Sequence, residues 1–211
     1  MMEIKEGVGF VKSILFVCTG NTCRSPMAEA LLREMAQARG MAVSVRSAGV
    51  STVDGLPVSG NALESLRRRK VSHAGSSSRL TAEAVEWADL ILTMTSGHKR
   101  DVLHYHPEAV DKTYTLKEFV YSDTAVAANI SELESLYSDM QMRGAIGGQL
   151  TKEERQRMLE LEKTIPSFDI ADPFGGSLST YESCSQEIQE AIGKLLDKLD
   201  SDSTFSGTEA D

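Results

Sequence analysis

The stretch from Ile14 to Pro26 constrains the fold of this chain more than any other part of the sequence. Ile14–Cys18 (ILFVC) is a continuous apolar run, typical of a strand buried on both faces of a parallel sheet. A loop of small and polar residues follows. The next segment predicts a helix over Ser25–Arg39, with Ser25 as its N-cap and Pro26 at its first position. A buried strand that turns directly into a helix is the repeating unit of an α/β fold.

Strand and helix patterns continue to alternate after this unit. Further strands are predicted at Val43–Ala48, Leu90–Met94 and Lys112–Thr115, and further helices at Ser59–Lys70, Ser96–Tyr105 and Thr180–Leu199. We therefore expect an α/β fold with three layers, α/β/α, around a central, mostly four-stranded parallel sheet. Ligands bind such sheets at the carboxyl ends of the strands. The loop Cys18–Arg24 lies at that position.

Residues 122–167 have a different pattern. Two segments, Ser131–Glu134 and Thr151–Glu154, fit the capping box that begins a helix, and a glycine-rich break separates them. We interpret 122–167 as a charged helical hairpin inserted into the α/β domain. It is either a solvated excursion without a catalytic role or a lid or partner-binding element. Residues 200–211 are predicted to form a disordered acidic tail.

The charge distribution excludes two classes of partner. The chain carries 31 acidic and 22 basic residues, a net charge of −9, and all of the acidic excess lies after residue 121. Neither nucleic acid nor an anionic membrane is an expected partner of such a chain. The sequence shows no secretory signal and no membrane span, and its three cysteines do not form a disulfide framework. We expect a cytoplasmic protein.

The loop after the first strand predicts phosphate chemistry. It contains the spacing Cys-x5-Arg, from Cys18 to Arg24, and a glycine lies between the two residues. Successive backbone N–H groups of such a loop, with a helix N-terminus behind them, converge on an anion. Arg24 can hold two phosphoryl oxygens in a bidentate fork, and the same positive field favours a nucleophilic thiolate at Cys18. The hydroxyl of Ser25 is placed to donate to that thiolate.

The segment Cys18–Glu29 (CTGNTCRSPMAE) resembles the low-molecular-weight protein tyrosine phosphatase family, and within it the bacterial protein-arginine phosphatases. The resemblance extends through Arg46–Gly49, Ala88–Met94 and Asp172–Gly176, and covers roughly residues 12–121 and 168–199. It implies one Rossmann-like phosphatase domain over residues 1–199 that contains the insertion 122–167. It also implies phosphorylated proteins as substrates, with no metal and no cofactor. The oligomeric state is open, with a monomer favoured.

The resemblance also implies roles for individual residues. Cys18 is the nucleophile, Arg24 binds phosphate, and Asp172 is the general acid that protonates the leaving group, with Asp169 as a competing carboxylate. A phosphocysteine intermediate is then hydrolysed, with Asp172 as the base. The loop residues that bind phosphate are Thr19, Gly20, Asn21, Thr22, Cys23 and Ser25. Asn21 also supports the strained loop together with Ser47.

Two departures from the tyrosine-specific pattern favour phosphoarginine. Thr22 occupies a loop position that is usually Ile or Leu, and its hydroxyl can bond a guanidinium-bearing substrate. Phe174 and two glycines follow Asp-Pro where tyrosines usually stand.

The alternatives are a tyrosine phosphatase, an arsenate reductase or a phosphoprotein-binding module without activity. No cysteine lies between Cys23 and Cys184, which argues against the reductase.

The remaining cysteines and histidines receive separate interpretations. Cys23 shares the loop with Cys18, and a reversible Cys18–Cys23 disulfide would inactivate and protect the nucleophile. Cys184 is interpreted as a packing residue. His104 and His106 lack further ligands at a suitable spacing, so they do not predict a metal site.

Overall fold

A computed structural model describes residues 13–121, 125–145, 148–164 and 167–205. The central sheet has four parallel strands in the order β2-β1-β3-β4. The strands are β1 (Ser13–Cys18), β2 (Ser44–Gly49), β3 (Leu90–Thr93) and β4 (Thr113–Thr115). This topology confirms the predicted parallel sheet, and each strand begins or ends within one residue of its predicted bounds.

Eight α-helices accompany the strands in the described residues. They are α1 (Arg24–Ala38), α2 (Gly60–Arg68), α3 (Ala82–Trp87), α4 (Ser96–Tyr105), α5 (Leu116–Tyr121), α6 (Ala125–Ala145), α7 (Lys152–Thr164) and α8 (Leu178–Phe205). A 3₁₀ turn, Pro107–Lys112, precedes β4. The short helices α3 and α5 were not predicted, because six residues make less than two turns and show little periodicity. None of the described helices is both long and apolar enough to span a membrane.

Strand β1 divides the core into two layers because its side chains alternate between the faces of the sheet. Ile14 and Phe16 pack with residues of α1, α2, α5 and α8 on one face. Leu15 and Val17 pack with residues of α3 and α4 on the other. All four side chains are almost completely buried. The predicted three-layer architecture is therefore confirmed.

Two predicted helix starts were wrong. The first helix begins at Arg24 rather than after an N-cap at Ser25, and Cys23 is its N-cap without a side-chain hydrogen bond. The Ser25 hydroxyl instead forms hydrogen bonds with Cys18 and Asn21 in the preceding loop. The second error concerns Ser131, which lies within α6 rather than before it. The Thr151–Glu154 capping box is present: Glu154 N donates to Thr151 Oγ1 over 3.1 Å, and Thr151 N to Glu154 Oε2 over 2.8 Å.

The chain forms two compact units, which divide after residues 120 and 167. The sheet, its flanking helices and every predicted site residue belong to the larger unit. The smaller unit, 121–167, contains α6 and α7, and Arg143 and Glu154 form a salt bridge within it with an N–O distance of 2.8 Å.

Helix α8 extends to Phe205, beyond the predicted boundary at residue 199. Ser201 Oγ donates to Asp197 O over 2.8 Å, and a helix already anchored in the core propagates at little cost. Residues 206–211 of the predicted tail lie outside the described residues, as do residues 1–12.

Candidate active site

The loop from Cys18 to Arg24 connects the carboxyl end of β1 to the start of α1. Cys18 is the last residue of the strand and is 3% exposed. Asn21 N donates to Cys18 Sγ over 3.2 Å, and Ser25 Oγ lies 3.0 Å from the same sulfur. The register places Cys18 beside Gly49 at the end of β2, so the sulfur lies at the edge of the sheet where ligands bind.

Asn21 holds the loop in its tight conformation. Its φ of 52° lies in the left-handed region, which asparagine tolerates better than most residues. Its amide Nδ2 donates to Ser25 Oγ and to Ser47 Oγ, each over 2.9 Å, and its Oδ1 accepts from Ser78 N over 2.7 Å. The side chain therefore joins the loop to two other segments of the chain.

These hydrogen bonds determine which atom donates at the nucleophile. An amide nitrogen only donates, so Ser25 Oγ accepts from Asn21 and retains one hydrogen. The nearer acceptor for that hydrogen is Cys18 Sγ at 3.0 Å, since Ala48 O is 3.5 Å away. Ser25 thus donates to the sulfur.

Glu29 completes this set of hydrogen bonds and was not identified from the sequence. Ser47 Oγ accepts from Asn21 and donates its own hydrogen to Glu29 Oε2 over 2.6 Å. Arg33, one turn farther along α1, forms a salt bridge with Glu29. The Ala-Glu-Ala sequence around Glu29 looks like an ordinary helix surface, and no local signal distinguishes it.

Arg24 and Asp172 meet at the mouth of the loop. Arg24 is buried, its Nη2 lies 2.9 Å from Asp172 Oδ2, and its Nη1 donates to Ile170 O over 3.3 Å. Arg24 Nε is buried and has no hydrogen-bond partner among the described residues. A buried donor without a partner requires an explanation, and an anion in the loop would provide one.

The two candidate carboxylates have different surroundings. Asp172 is 54% exposed, and its Oδ1 accepts from Phe174 N over 3.2 Å. Asp169 Oδ1 instead accepts from Ser96 N over 2.7 Å, at the first residue of α4. Of the two carboxylates, only Asp172 lines the cavity that contains Cys18.

That cavity, which we call the phosphate cradle, has a volume of about 190 Å³. It is lined by Cys18, Thr19, Gly20, Thr22, Cys23, Arg24, Asp172 and Phe174. The side chains of Asn21, Ser25 and Ser47 are not part of its lining and contact the loop from behind. The predicted site residues therefore form one site, with a lining and a supporting group.

His98 supports the cradle, and no motif in the sequence associates it with the loop. Thr95 Oγ1 accepts from His98 N and lies 2.9 Å from the ring nitrogen Nδ1. His98 Nε2 is hydrogen-bonded to Thr19 Oγ1 over 2.8 Å. Burial, with Arg24 as a further contributor, lowers the pKa of His98 below its usual 6.5. The neutral ring orients the Thr19 hydroxyl.

Cys23 lies on the other side of the loop. Ser59 Oγ donates to Tyr181 OH over 3.1 Å, and the tyrosine hydroxyl is hydrogen-bonded to Cys23 Sγ over 3.2 Å. Cys184 is buried with its sulfur 3.5 Å from Ala171 O, and burial raises its pKa to about 12. All three cysteines are free thiols. The position of Cys184 agrees with the predicted packing role.

Comparison with known proteins agrees with this geometry. The model of the low molecular weight phosphotyrosine protein phosphatase family matches residues 13–141. A protein-arginine-phosphatase of Geobacillus stearothermophilus is 39% identical over 186 residues, which cover 88% of this chain and 95% of that protein.

Two solved structures share the fold. The YwlE arginine phosphatase from Geobacillus stearothermophilus has a TM-score of 0.68 at 34% identity, covering 95% of this chain and 99% of that one. A cysteine-to-serine mutant of YwlE arginine phosphatase with a phosphorylated active-site serine has a TM-score of 0.67 at 33% identity. It covers 89% of this chain and 95% of that one. With the family match, the four-stranded fold and the cysteine–arginine loop in agreement, the chain belongs to the low molecular weight phosphotyrosine protein phosphatase family.

Proposed function

We propose that this protein is a protein-arginine phosphatase that hydrolyses phosphoarginine in proteins through a phosphocysteine intermediate. The observation that carries the proposal is the cradle itself. A buried sulfur accepts hydrogen bonds from a main-chain amide and a hydroxyl, beneath an arginine that is paired with one exposed carboxylate. This arrangement combines a nucleophile, an anion site and a proton donor within one cavity.

In the first step the Cys18 thiolate attacks phosphorus and the bond from phosphorus to the guanidino nitrogen breaks. The amides of the loop and Arg24 stabilise the equatorial oxygens, whose negative charge would also satisfy the buried Nε of Arg24. Protonated Asp172 gives its proton to the departing nitrogen, so that arginine leaves as a cation.

In the second step water hydrolyses the phosphocysteine. Asp172, now a carboxylate, takes a proton from the attacking water, and the sulfur–phosphorus bond breaks. The departing sulfur is stabilised as a thiolate by Ser25, which lies 3.0 Å away. The phosphorylated serine of the YwlE mutant supports attack on phosphorus from this position of the loop.

Two residues of the cradle support phosphoarginine over phosphotyrosine. Thr22 is a short polar residue at the wall of the cradle, and Phe174 is a single aromatic side chain that is 79% exposed. The arginine phosphatases among the relatives support the same choice. Tyrosine phosphatase activity is the second candidate, since the family as a whole carries that name.

We place the reaction in the cytoplasm, because a reducing compartment keeps three free thiols reduced.

The test of the proposed activity is phosphate release from a phosphoarginine-bearing protein, with Cys18→Ser as the control. We expect kcat/KM for a phosphoarginine peptide to exceed that for the matched phosphotyrosine peptide, and Thr22→Ile to shift this ratio toward phosphotyrosine. If the wild type and Thr22→Ile had the same ratio of kcat/KM for phosphoarginine to kcat/KM for phosphotyrosine, the role of Thr22 in specificity would be refuted.

A further inference from the structure

A second, larger cavity adjoins the phosphate cradle. We call it the flanking cleft; its volume is about 530 Å³, within the range of about 300–1,000 Å³ typical of ligand sites. Its lining includes Thr22, Cys23, Leu56, Ser59, Phe174 and Tyr181. Three of these residues, Thr22, Cys23 and Phe174, also line the cradle. The two cavities are therefore continuous along the wall of the active site.

None of the described residues that line the flanking cleft has a charged side chain. Its polar groups bond to one another: Ser59 Oγ donates to Tyr181 OH, and Asn61 Nδ2 donates to Gly176 O over 3.2 Å. The outer wall is apolar, since Leu56 is 41% exposed and Phe174 is 79% exposed. Burial of an apolar group against such a surface makes the free energy of binding more favourable, and desolvation of a charged group there makes it less favourable.

The segment that carries Leu56 is fixed in place before any ligand binds. Leu56 N donates to Ser77 Oγ, and Ser77 N donates to Leu56 O, both over 2.9 Å. Ser59 N donates to Thr22 O over 2.8 Å, so this segment is also joined directly to the cradle loop. A wall that is already ordered costs little conformational entropy when a ligand binds.

The occupant follows from the proposed function, on which this inference rests. A phosphoarginine of a protein substrate reaches the cradle while its own main chain passes over the rim. Consecutive residues of that chain are about 3.8 Å apart, so the side chains next to the phosphoarginine come within reach of the adjoining cavity. We propose that the flanking cleft binds an uncharged, apolar side chain within two residues of the phosphoarginine of the substrate polypeptide.

The test uses phosphoarginine peptides that differ only in one neighbouring residue, leucine or aspartate, placed in turn at the two positions before and the two after the phosphoarginine. We expect the wild-type enzyme to prefer leucine at one of these positions by about tenfold in kcat/KM, an effect that burial of one aliphatic side chain can supply. Equal kcat/KM values at all four positions would overturn the inference.

Two substitutions assign the preference to the cleft. Leu56→Ser should reduce the leucine-to-aspartate ratio below about threefold, and Leu56→Lys, which places a cation on the wall, should invert it. Val53 is the matched control, because it is 58% exposed in the same segment and does not line the cleft. Val53→Ser should retain the wild-type ratio. A ratio that survives both Leu56 substitutions would refute the inference.

The same measurements separate this inference from the proposed function. Each ratio compares two peptides on one enzyme, so a variant with a general loss of activity still gives a valid ratio. If the wild-type enzyme hydrolyses p-nitrophenyl phosphate but none of the phosphoarginine peptides, the proposed function fails and the inference fails with it. If it hydrolyses all peptides equally well, the proposed function stands and only the flanking cleft loses its role.

Discussion

Asp172 is the general acid in the first step of the proposed reaction and the general base in the second. Asp172→Asn keeps the shape of the side chain and an oxygen for the hydrogen bond from Phe174 N, but it removes the proton. We expect kcat for phosphoarginine peptides to fall by about 10²–10⁴-fold with little change in KM, as steady-state kinetics would measure.

Asp169→Asn is the matched control for that prediction. Asp169 Oδ1 accepts a hydrogen bond at the start of α4 and does not line the cradle, so this variant should keep kcat within a few-fold of the wild type. If Asp169→Asn lost as much activity as Asp172→Asn, the assignment of the general acid would be wrong.

His98 makes the stability of the protein depend on pH. Its pKa is lowered in the folded state, so below about pH 6.5 the unfolded chain binds a proton that the folded protein does not. The free energy of unfolding therefore falls as the pH decreases through this range. Urea unfolding at pH 7.5 and 5.5 should show a smaller difference for His98→Gln than for the wild type. An equal difference in both proteins would contradict this role.

The pair Cys18 and Cys23 is expected to form a disulfide during oxidation. Peroxide converts the Cys18 thiolate to a sulfenic acid, and attack by Cys23 then forms the sulfur–sulfur bond and releases hydroxide. Mass mapping of the inactivated, thiol-trapped protein should find this bond, and dithiothreitol should restore activity. Cys23→Ser should lose activity irreversibly under the same peroxide treatment. Recovery with dithiothreitol in the absence of that bond would refute the prediction.

At the residue scale, the sequence predicted what is local in the chain and missed what depends on distant contacts. Cys18 and Arg24 were identified because strand, loop and helix follow one another directly. Asp172 was identified only by resemblance, since 148 positions separate it from Arg24. Tyr181 was missed because its hydroxyl meets Cys23 across 158 positions and nothing in its neighbourhood indicates this contact.

At the scale of the elements, the end of β2 limits how closely the cradle loop can pack. A Cβ on Gly49 would lie 2.7 Å from Thr19 O and 3.1 Å from Asn21 N, both backbone atoms of the loop. Gly49→Ala should therefore displace the loop, and a displacement of about 1 Å can cost about 10²-fold in rate. We expect a loss of this order in kcat/KM for p-nitrophenyl phosphate, with the circular dichroism spectrum unchanged.

Gly60 provides the control for this prediction. A Cβ there would meet nothing within 4 Å, and the residue is the first of α2, away from the loop backbone. Gly60→Ala should retain wild-type kinetics. If Gly49→Ala retained them as well, the close approach of β2 to the loop would have no influence on the geometry of the cradle.

The ends of strands and helices are not predicted accurately by sequence patterns alone. Strand β2 extends one residue past its predicted end because Gly49 pairs with Cys18 in the ladder, and no property of glycine predicts that pairing. Helix α1 begins at Arg24, two residues before its predicted first position at Pro26, because Ser25 bonds within the loop rather than capping the helix. In both cases a tertiary contact overrides a correct local preference.

At the scale of the whole molecule, the site and both hydrophobic clusters around the sheet lie in the larger unit. The residues that line the cradle and the flanking cleft all lie between positions 18 and 61 or between 172 and 181. No described residue of 121–167 belongs to either of these clusters. We propose that the phosphatase domain is this larger unit and that 121–167 is an insertion that catalysis does not require.

Deletion of the insertion tests that division. Lys117 Nζ donates to Asp169 O over 3.3 Å, so the chain on either side of 121–167 is already close together and a linker of about six Gly and Ser residues can join it. The shortened protein should hydrolyse p-nitrophenyl phosphate with kcat and KM within about threefold of the full chain. If phosphoarginine proteins alone become poorer substrates, 121–167 contributes to recognising them. Complete loss of activity in a folded, monodisperse protein would show that the insertion is part of the catalytic domain, because an independent excursion can be removed without moving the sheet that positions Cys18.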